Sequence, residues 1–327
     1  MRPLTRTLPA LLAITLLACT GPAPDASPTP APAPGLENGS FTAEHGGFRI
    51  HYEVHGQGPV LMTLPNSWGL SLEGLRAMYR PLEERLTLVY FDPRGMGGSG
   101  AVREDEDRGL AAVRADFQAL REHLGLASVH AIGWSNGAVN LVWLAHERPQ
   151  TLSSAIFVHG MAAFTAEDAK LAQGRFPELW ETWADFMKEV ADPAKSDAEK
   201  TALQRKLWLE EYFPLITADP ERAKPMLAEV FAEADFSWPH AEYANREAST
   251  FDAREELPHI PTRSLVIAGA HDMHPPEKVK PLHDLLPDST FVVFEKSGHF
   301  APIEEPEAFQ AAVFDFLGVS PPPGAGE

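Results

Sequence analysis

"HAIGWSNGAV", residues 130–139, sets a serine between two glycines, after an apolar run and before a helical pattern. The run "VHAIG" (129–133) reads as a buried strand, and "AVNLVWLAHERP" (138–149) as a helix stopped near Pro149. Ser135 therefore falls on a strand-to-helix turn. Gly133 and Gly137 have no Cβ, so the chain can turn sharply there and the helix can approach the strand closely. The serine is then forced outward, with its Oγ at the carboxyl edge of a sheet. The backbone N–H of Asn136 would face an oxyanion from the helix N-terminus. Taken alone, the pentapeptide does not separate a nucleophile from an ordinary glycine-serine turn.

A serine hydroxyl attacks a carbonyl only when a base takes its proton, and the base needs an acid to orient it. "VIAGAHD" (266–272) places Asp272 in the loop after one strand, and "FEKSGHFAPIEEP" (294–306) places His299 in the loop after the next. In isolation Asp272 would more often cap a turn, and His299 would be one of 13 histidines. Together they supply the missing base and acid, in the chain order serine, acid, histidine.

The surrounding pattern alternates strands with helices, which calls for a mostly parallel sheet. "FRIHYEV" (48–54) alternates and belongs to an initial hairpin. "VLMTL" (60–64), "LTLVYF" (86–91) and "AIFVH" (155–159) are runs expected to be buried strands, and "SLVIAGA" (264–270) and "TFVVFE" (290–295) are expected to be the last two strands. Leu110, Val113, Phe117, Leu120 and Leu124 mark one face of a helix ended by Gly125. "PEAFQAAVFDFLG" (306–318) reads as a final helix stopped at Gly318. Between 161 and 261 the strand pattern disappears. Helical spacings such as Trp180, Trp183, Met187 and Val190 take its place, with proline breaks expected at 193, 214, 220 and 225.

These motifs and their order resemble the α/β-hydrolase fold family. "YFDPRGMGGSG" (90–100) is similar to that family's D-x-R-G-x-G-x-S signature, and the likeness extends over nearly all of residues 40–318. The resemblance implies an α/β fold with a mostly parallel sheet flanked by helices. The core would be residues 36–160 and 262–319, with a helical cap inserted at 161–261. It also implies a catalytic triad of Ser135, Asp272 and His299. After "VLMTL" the family commonly carries His-Gly, whereas this chain reads "LPNSWGLS" with Asn66-Ser67 in that place. By position, Trp68 N–H becomes the second oxyanion donor beside Asn136, with the neighbouring Ser67 as an alternative. Asn-Ser followed by an apolar residue and Gly resembles the enol-lactone hydrolases. Proline iminopeptidases usually show His-Gly-Gly-Pro-Gly there, although "DPRGMGGSG" is similar to that branch too. Dehalogenases and epoxide hydrolases of the fold use an aspartate nucleophile, which Ser135 excludes.

The expected activity is serine-dependent hydrolysis of a carboxylic ester or lactone of a small, partly apolar substrate, through an acyl-enzyme. An iminopeptidase-like aminopeptidase is the alternative, and a non-catalytic binding protein on the same fold a more distant one. Trp134, Trp180, Trp183 and Trp208, with Asn66 and Ser67, are the candidate pocket residues, and the aromatic side chains of the cap could equally form its own small core. Glu178, Glu181 and Asp185 would serve a substrate amine, or simply a solvated helix face. No cofactor and no metal are expected, because the two histidines and the aspartate of "HDMH" (271–274) lack the spacing of a ligand set.

The N-terminus begins "MRPLTRTLPALLAITLLAC", with two arginines, an apolar run too short to span a bilayer, and a cysteine. It resembles the lipobox of bacterial lipoproteins, which implies cleavage after residue 18 and acylation of Cys19. An ordinary secretory signal with an incidental cysteine is the other reading. Cys19 is the only cysteine, which excludes an internal disulfide and a Cys-ligated metal. Residues 19–35 are proline- and alanine-rich and read as a tether, and 320–327 as a flexible tail. The expected setting is a bacterial protein, exported and held at a membrane by that anchor, facing the periplasm or cell exterior. A net charge of −19, from 46 acidic and 27 basic residues, argues against a nucleic-acid partner. The cluster "REDEDR" (103–108) reads as a solvated loop.

Overall fold

A computed structural model describes residues 36–66 and 68–320. The signal, tether and Cys19, the tail from 321 onward, and Ser67 lie outside the described residues. Eight strands form one sheet in the order β1-β2-β4-β3-β5-β6-β7-β8. The first hairpin pairs β1 (Gly39–His45) with β2 (Phe48–Gly56), and β2 runs antiparallel to β4 (Thr87–Phe91). From there every pairing is parallel, through β3 (Val60–Leu64), β5 (Val129–Trp134), β6 (Leu152–Val158), β7 (Ser264–Gly269) and β8 (Ser289–Phe294).

The inner strands read as unbroken apolar runs because both faces of the sheet are covered. Leu61, Leu88, Ile132, Ile156 and Ile267 face one cluster. It includes Leu75 and Met78 of α1 (Leu72–Tyr79) and Phe309 and Val313 of α12 (Pro306–Leu317). Met62, Val89, Ala131, Phe157 and Val266 face the other. There they meet Phe117 of α2 (Leu110–His123), Leu141 of α3 (Asn136–Glu147) and Leu282 of α10 (Pro276–Leu285). α12 ends at Gly318, whose left-handed backbone (φ 67°) suits a residue without a Cβ. Among the described residues no helix is long and apolar enough to cross a membrane.

The insert between β6 and β7 is helical, as expected. It holds α4 (Ala166–Arg175), α5 (Pro177–Val190), α6 (Asp197–Leu207), a π-helical turn at Trp208–Tyr212, the short α7 (Phe213–Leu215), α8 (Pro220–Val230) and α9 (Trp238–Ala248). Two of the four expected proline breaks are helix starts instead, since Pro220 opens α8 and Pro214 lies in the first turn of α7. A third, Pro225, sits inside α8. The hydrogen bond lost at Pro225 would have gone to Glu221 in the exposed first turn of α8. Packing of Ala223 and Leu227 holds the helix regardless. The cap has no separate core. Phe213 and Phe231 pack on Phe300 of the body, with ring centroids 5.0 and 6.0 Å apart, and Trp208 packs on Phe213 at 5.2 Å.

"DPRGMGGSG" is a brace beside the sheet. The buried Asp92 carboxylate accepts from Leu72 N at the start of α1, from Gly98 N and from His51 Nδ1. Arg94 makes two hydrogen bonds to Asp116 at 2.8 Å and a third to Asp107 at 3.0 Å. Asp107 belongs to "REDEDR", so that run is not wholly a solvated loop: its one buried carboxylate neutralises Arg94 and caps a short 3-10 turn. The carbonyl of Arg94 also accepts from His240 Nε2 of α9 at 2.8 Å, and His240 Nδ1 lies 2.7 Å from Ser237 Oγ. The imidazole is thereby fixed as one neutral tautomer that ties the cap to the body.

Candidate active site

At the carboxyl edge of β5 the chain turns through Ser135 with φ 55° and ψ −121°, a backbone region that costs a non-glycine residue about 1–3 kcal/mol. The neighbours show why the turn takes this form. A Cβ on Gly133 would come within 2.4 Å of Gly137 O, and one on Gly137 within 2.7 Å of Leu64 O. Both positions exclude any other residue without movement of backbone. Ser135 N donates to Val158 O at 2.8 Å, and Ser135 O receives Ala138 N at 2.9 Å, so the turn is fixed from both sides. As the first residue of α3, Asn136 has no intrahelical acceptor for its N–H. Its side chain is buried, and neither polar atom has a partner among the described residues.

Asp272 and His299 meet across the loops after β7 and β8. His299 Nδ1 lies 2.8 Å from Asp272 Oδ2, with the carboxylate fully buried. Asp272 Oδ1 accepts from His274 N at 3.2 Å. Burial pushes the Asp272 carboxyl up, but the His299 imidazole and the close contact of His159 outweigh it. The acid is held well below the usual carboxylate range. His299 itself is gripped along its backbone: its N–H donates to Ile216 O of the cap at 2.8 Å, and its carbonyl accepts the Trp134 indole N–H at 2.8 Å. Glu304, at the end of the four-residue helix α11 (Ala301–Glu304), accepts from Gly298 N, Phe300 N and, across the gap to the cap, Ala218 N. Burial raises its carboxyl above the usual range against the pull of those three amides. Among the described residues no hydrogen bond joins the Ser135 hydroxyl to His299.

His159 carries no sequence signal of its place here. The run 155–159 reads as a strand to its end, but β6 stops at Val158 and His159 turns to φ 55°. Its Nδ1 lies 3.0 Å from the same Asp272 Oδ2, off the line of a well-formed hydrogen bond. Burial, outweighing the nearby carboxylate, pushes the imidazole down and keeps it neutral. No local marker of this role exists in "VHG", apart from the glycine that follows.

The ligand atoms of His159, Asp272 and His299 lie within 4.8 Å of one another, close enough on spacing alone to hold a small cation. The carboxylate oxygen between them, however, already faces the His299 ring at hydrogen-bond length. That hydrogen bond competes with a cation for the same oxygen. His271 of "HDMH" is exposed and apart from this cluster.

The cap touches three loops of the site through one stretch. Gln204 Nε2 donates to Trp68 O at 3.1 Å, and Trp208 packs on Trp68 with centroids 6.2 Å apart. Tyr212 Oη contacts Met273 Sδ at 3.3 Å, next to Asp272, and Ile216 holds His299. The π-helical turn over 208–212 aligns Trp208 and Tyr212 with different loops, a local irregularity often found at functional sites. The expected second oxyanion donor, Trp68 N–H, is engaged by Asn66 Oδ1 at 3.1 Å. Trp134 is buried under His299, its ring 5.3 Å from the imidazole, where it braces the loop. Trp208 is buried too, whereas Trp180 and Trp183 are half-exposed, with Trp183 against Tyr212. Glu178, Glu181 and Asp185 face solvent, and Asp185 pairs with Lys188.

Comparison with known proteins agrees with this architecture. Residues 61–306 match the model of the alpha/beta hydrolase fold family. The chain is 26% identical over 238 residues to a proline iminopeptidase of Levilactobacillus brevis, covering 70% of this chain and 78% of that protein. It is 27% identical over 266 residues to a pimeloyl-[acyl-carrier protein] methyl ester esterase of Klebsiella pneumoniae, covering 80% and 94%. Among solved structures, the enol-lactonase of Burkholderia xenovorans superposes with a TM-score of 0.65 at 20% identity, over 85% of this chain and all of that one. The chain belongs to the α/β hydrolase fold family.

Proposed function

We propose that this protein is a serine hydrolase that cleaves a carboxylic ester or lactone of a small, partly apolar substrate. The observation that carries the reading is Ser135, held in a strained turn that only its glycine neighbours permit, in a chain whose acid–imidazole pair Asp272–His299 closes the adjoining loops. Ser135 Oγ attacks the carbonyl carbon and passes its proton to His299 Nε2, since Nδ1 is committed to Asp272. Asn136 N–H and Trp68 N–H, the latter turning away from Asn66 Oδ1, stabilise the tetrahedral oxyanion. His299 then gives its proton to the leaving oxygen, and water, deprotonated by the same imidazole, releases the acid from Ser135.

Ester or lactone is preferred over a peptide N-terminus on chemical grounds. A free amine needs a facing carboxylate, yet the cap carboxylates at 178, 181 and 185 are exposed, and the buried Asp168 is already paired with Lys278 at 2.9 Å. The iminopeptidase reading keeps the support of relatives such as that of Levilactobacillus brevis. Nitrophenol release from short acyl esters and arylamine release from a prolyl arylamide, each compared with Ser135→Ala, separate the two. Ester cleavage that disappears in the variant supports the proposal, serine-dependent arylamide cleavage alone replaces it with the peptidase, and inertness toward both refutes hydrolysis of these classes.

Residues 1–35 carry a second part of the reading, export and attachment to a membrane through acylated Cys19. Labelled palmitate incorporated by the full chain and lost in Cys19→Ala supports it, and a wild-type chain that stays unlabelled overturns it.

A further inference from the structure

Among the described residues, the two non-glycine positions with positive φ are Ser135 and His159, both at the same site. The first is explained by its turn. The second is a buried histidine held in a costly backbone conformation, with neither ring nitrogen in a well-formed hydrogen bond, 3.0 Å from the acid of the pair. Strain of this kind persists only where the surroundings impose it, and it clusters at functional sites. Here the β6–β7 ladder continues one step past the strand, with His159 N donating to Ile267 O at 2.9 Å. A Cβ on Gly160 would press on Ala138 of α3 at 2.8 Å. The backbone is thus pinned on both sides, and the side chain is directed at Asp272.

The tautomer follows from the contact. A bare Nδ1 lone pair 3.0 Å from a carboxylate oxygen would be repelled, so Nδ1 carries the hydrogen. Asp272 Oδ2 then faces two imidazole N–H groups, from His299 at 2.8 Å and from His159 at 3.0 Å, with the rings 5.1 Å apart. We propose that His159 is a positioning residue: its Nδ1–H, short of a full hydrogen bond, holds a positive dipole against the Asp272 carboxylate and shares that charge with His299. This rests on the serine-hydrolase reading above. Each donor to a carboxylate reduces what it offers the others, so His159 lessens the stabilisation that Asp272 gives to a protonated His299. The other titratable groups facing the cluster are His274 in the loop after β7, Tyr212 of the cap and Glu304 of α11. Asp168 and Lys278 are paired with each other farther out.

The test uses two variants and one measurement without turnover. His159→Phe removes the donor. His159→Asn keeps an amide N–H near the position of Nδ1 and belongs to the residue types that accept positive φ. The acid limb of kcat/KM should move up by about half to one pH unit in His159→Phe and return toward wild type in His159→Asn. A purely structural role would instead lower the Tm of His159→Phe while leaving the limb of the remaining folded enzyme in place, and that result overturns the proposal. Nitrogen-15 NMR of histidine-labelled wild type should show Nδ1 protonated in both His159 and His299. Protonation of His159 on Nε2 alone also overturns it, whether or not the variants fold. Failure of the serine reading would appear separately, as undiminished turnover in Ser135→Ala, and the tautomer measurement would still decide the placement of His159.

Discussion

Lowering the pH should loosen the cap through His240, and the size of the effect follows from its surroundings. The ring is 2% exposed, donates from Nε2 to Arg94 O and receives the Ser237 hydroxyl at Nδ1. A second proton would have to enter a site that water cannot reach and displace the Ser237 hydrogen. Burial first, opposed by the Arg94 carbonyl and assisted by the charge of Arg108, therefore pushes its pKa down to about 4. An unfolded histidine titrates near 6.5, so between those values the unfolded chain binds the proton and the folded one does not. Stability from this group is complete above about pH 6.5 and is lost as pH falls toward 4. At about pH 5 the difference is some 1.5 units, or about 2 kcal/mol. Urea unfolding followed by tryptophan fluorescence, at about pH 7.5 and again at about pH 5, should show the wild type losing about 2 kcal/mol more than His240→Gln. Equal losses in the two proteins would refute the argument that neutral His240 ties the cap to the body.

Three other outcomes follow from the geometry. Gly133→Ala places a methyl 2.4 Å from Gly137 O and should destabilise the fold by about 3 kcal/mol or leave it insoluble, as measured by denaturant unfolding. Asp272→Asn should keep the loop but mispresent the imidazole tautomer, lowering kcat by about 10⁴ with little change in KM in an ester assay. Glu304→Gln replaces one of two oxygens that accept three backbone amides, and should cost about 1–3 kcal/mol in unfolding free energy, with faster hydrogen exchange either at residue 218 or in the His299 loop, whichever faces the new NH2.

The parts of the fold legible in the sequence were those encoded locally. Val60–Leu64 is a strand within the residues read as one, because a sheet covered on both faces leaves an uninterrupted apolar run. α5 spans the Trp180, Trp183, Met187 and Val190 spacing, and the glycines at 133 and 137 marked the turn through the contacts that exclude a Cβ. Asp272 and His299 could be placed in loops by chain order, and the structure brings them together. What stayed hidden depends on partners distant in the chain. His159 reads as the last residue of a strand, and nothing nearby announces its backbone turn. Trp134 adjoins Ser135 in the chain, and nothing local announces that its indole N–H reaches the carbonyl of His299, 165 residues later. Asp107 looks solvated within an acidic run until Arg94 is folded against it, and Pro225 reads as a break because the packing that retains its helix lies on other residues.

The role of Ser135 as nucleophile is tested most directly by covalent labelling of the folded protein with a fluorophosphonate, the modified peptide being identified by mass spectrometry. One adduct on Ser135, absent from Ser135→Ala and slowed in His299→Ala, is the result expected. An unlabelled wild type, or an adduct of equal yield on another residue in Ser135→Ala, would contradict it.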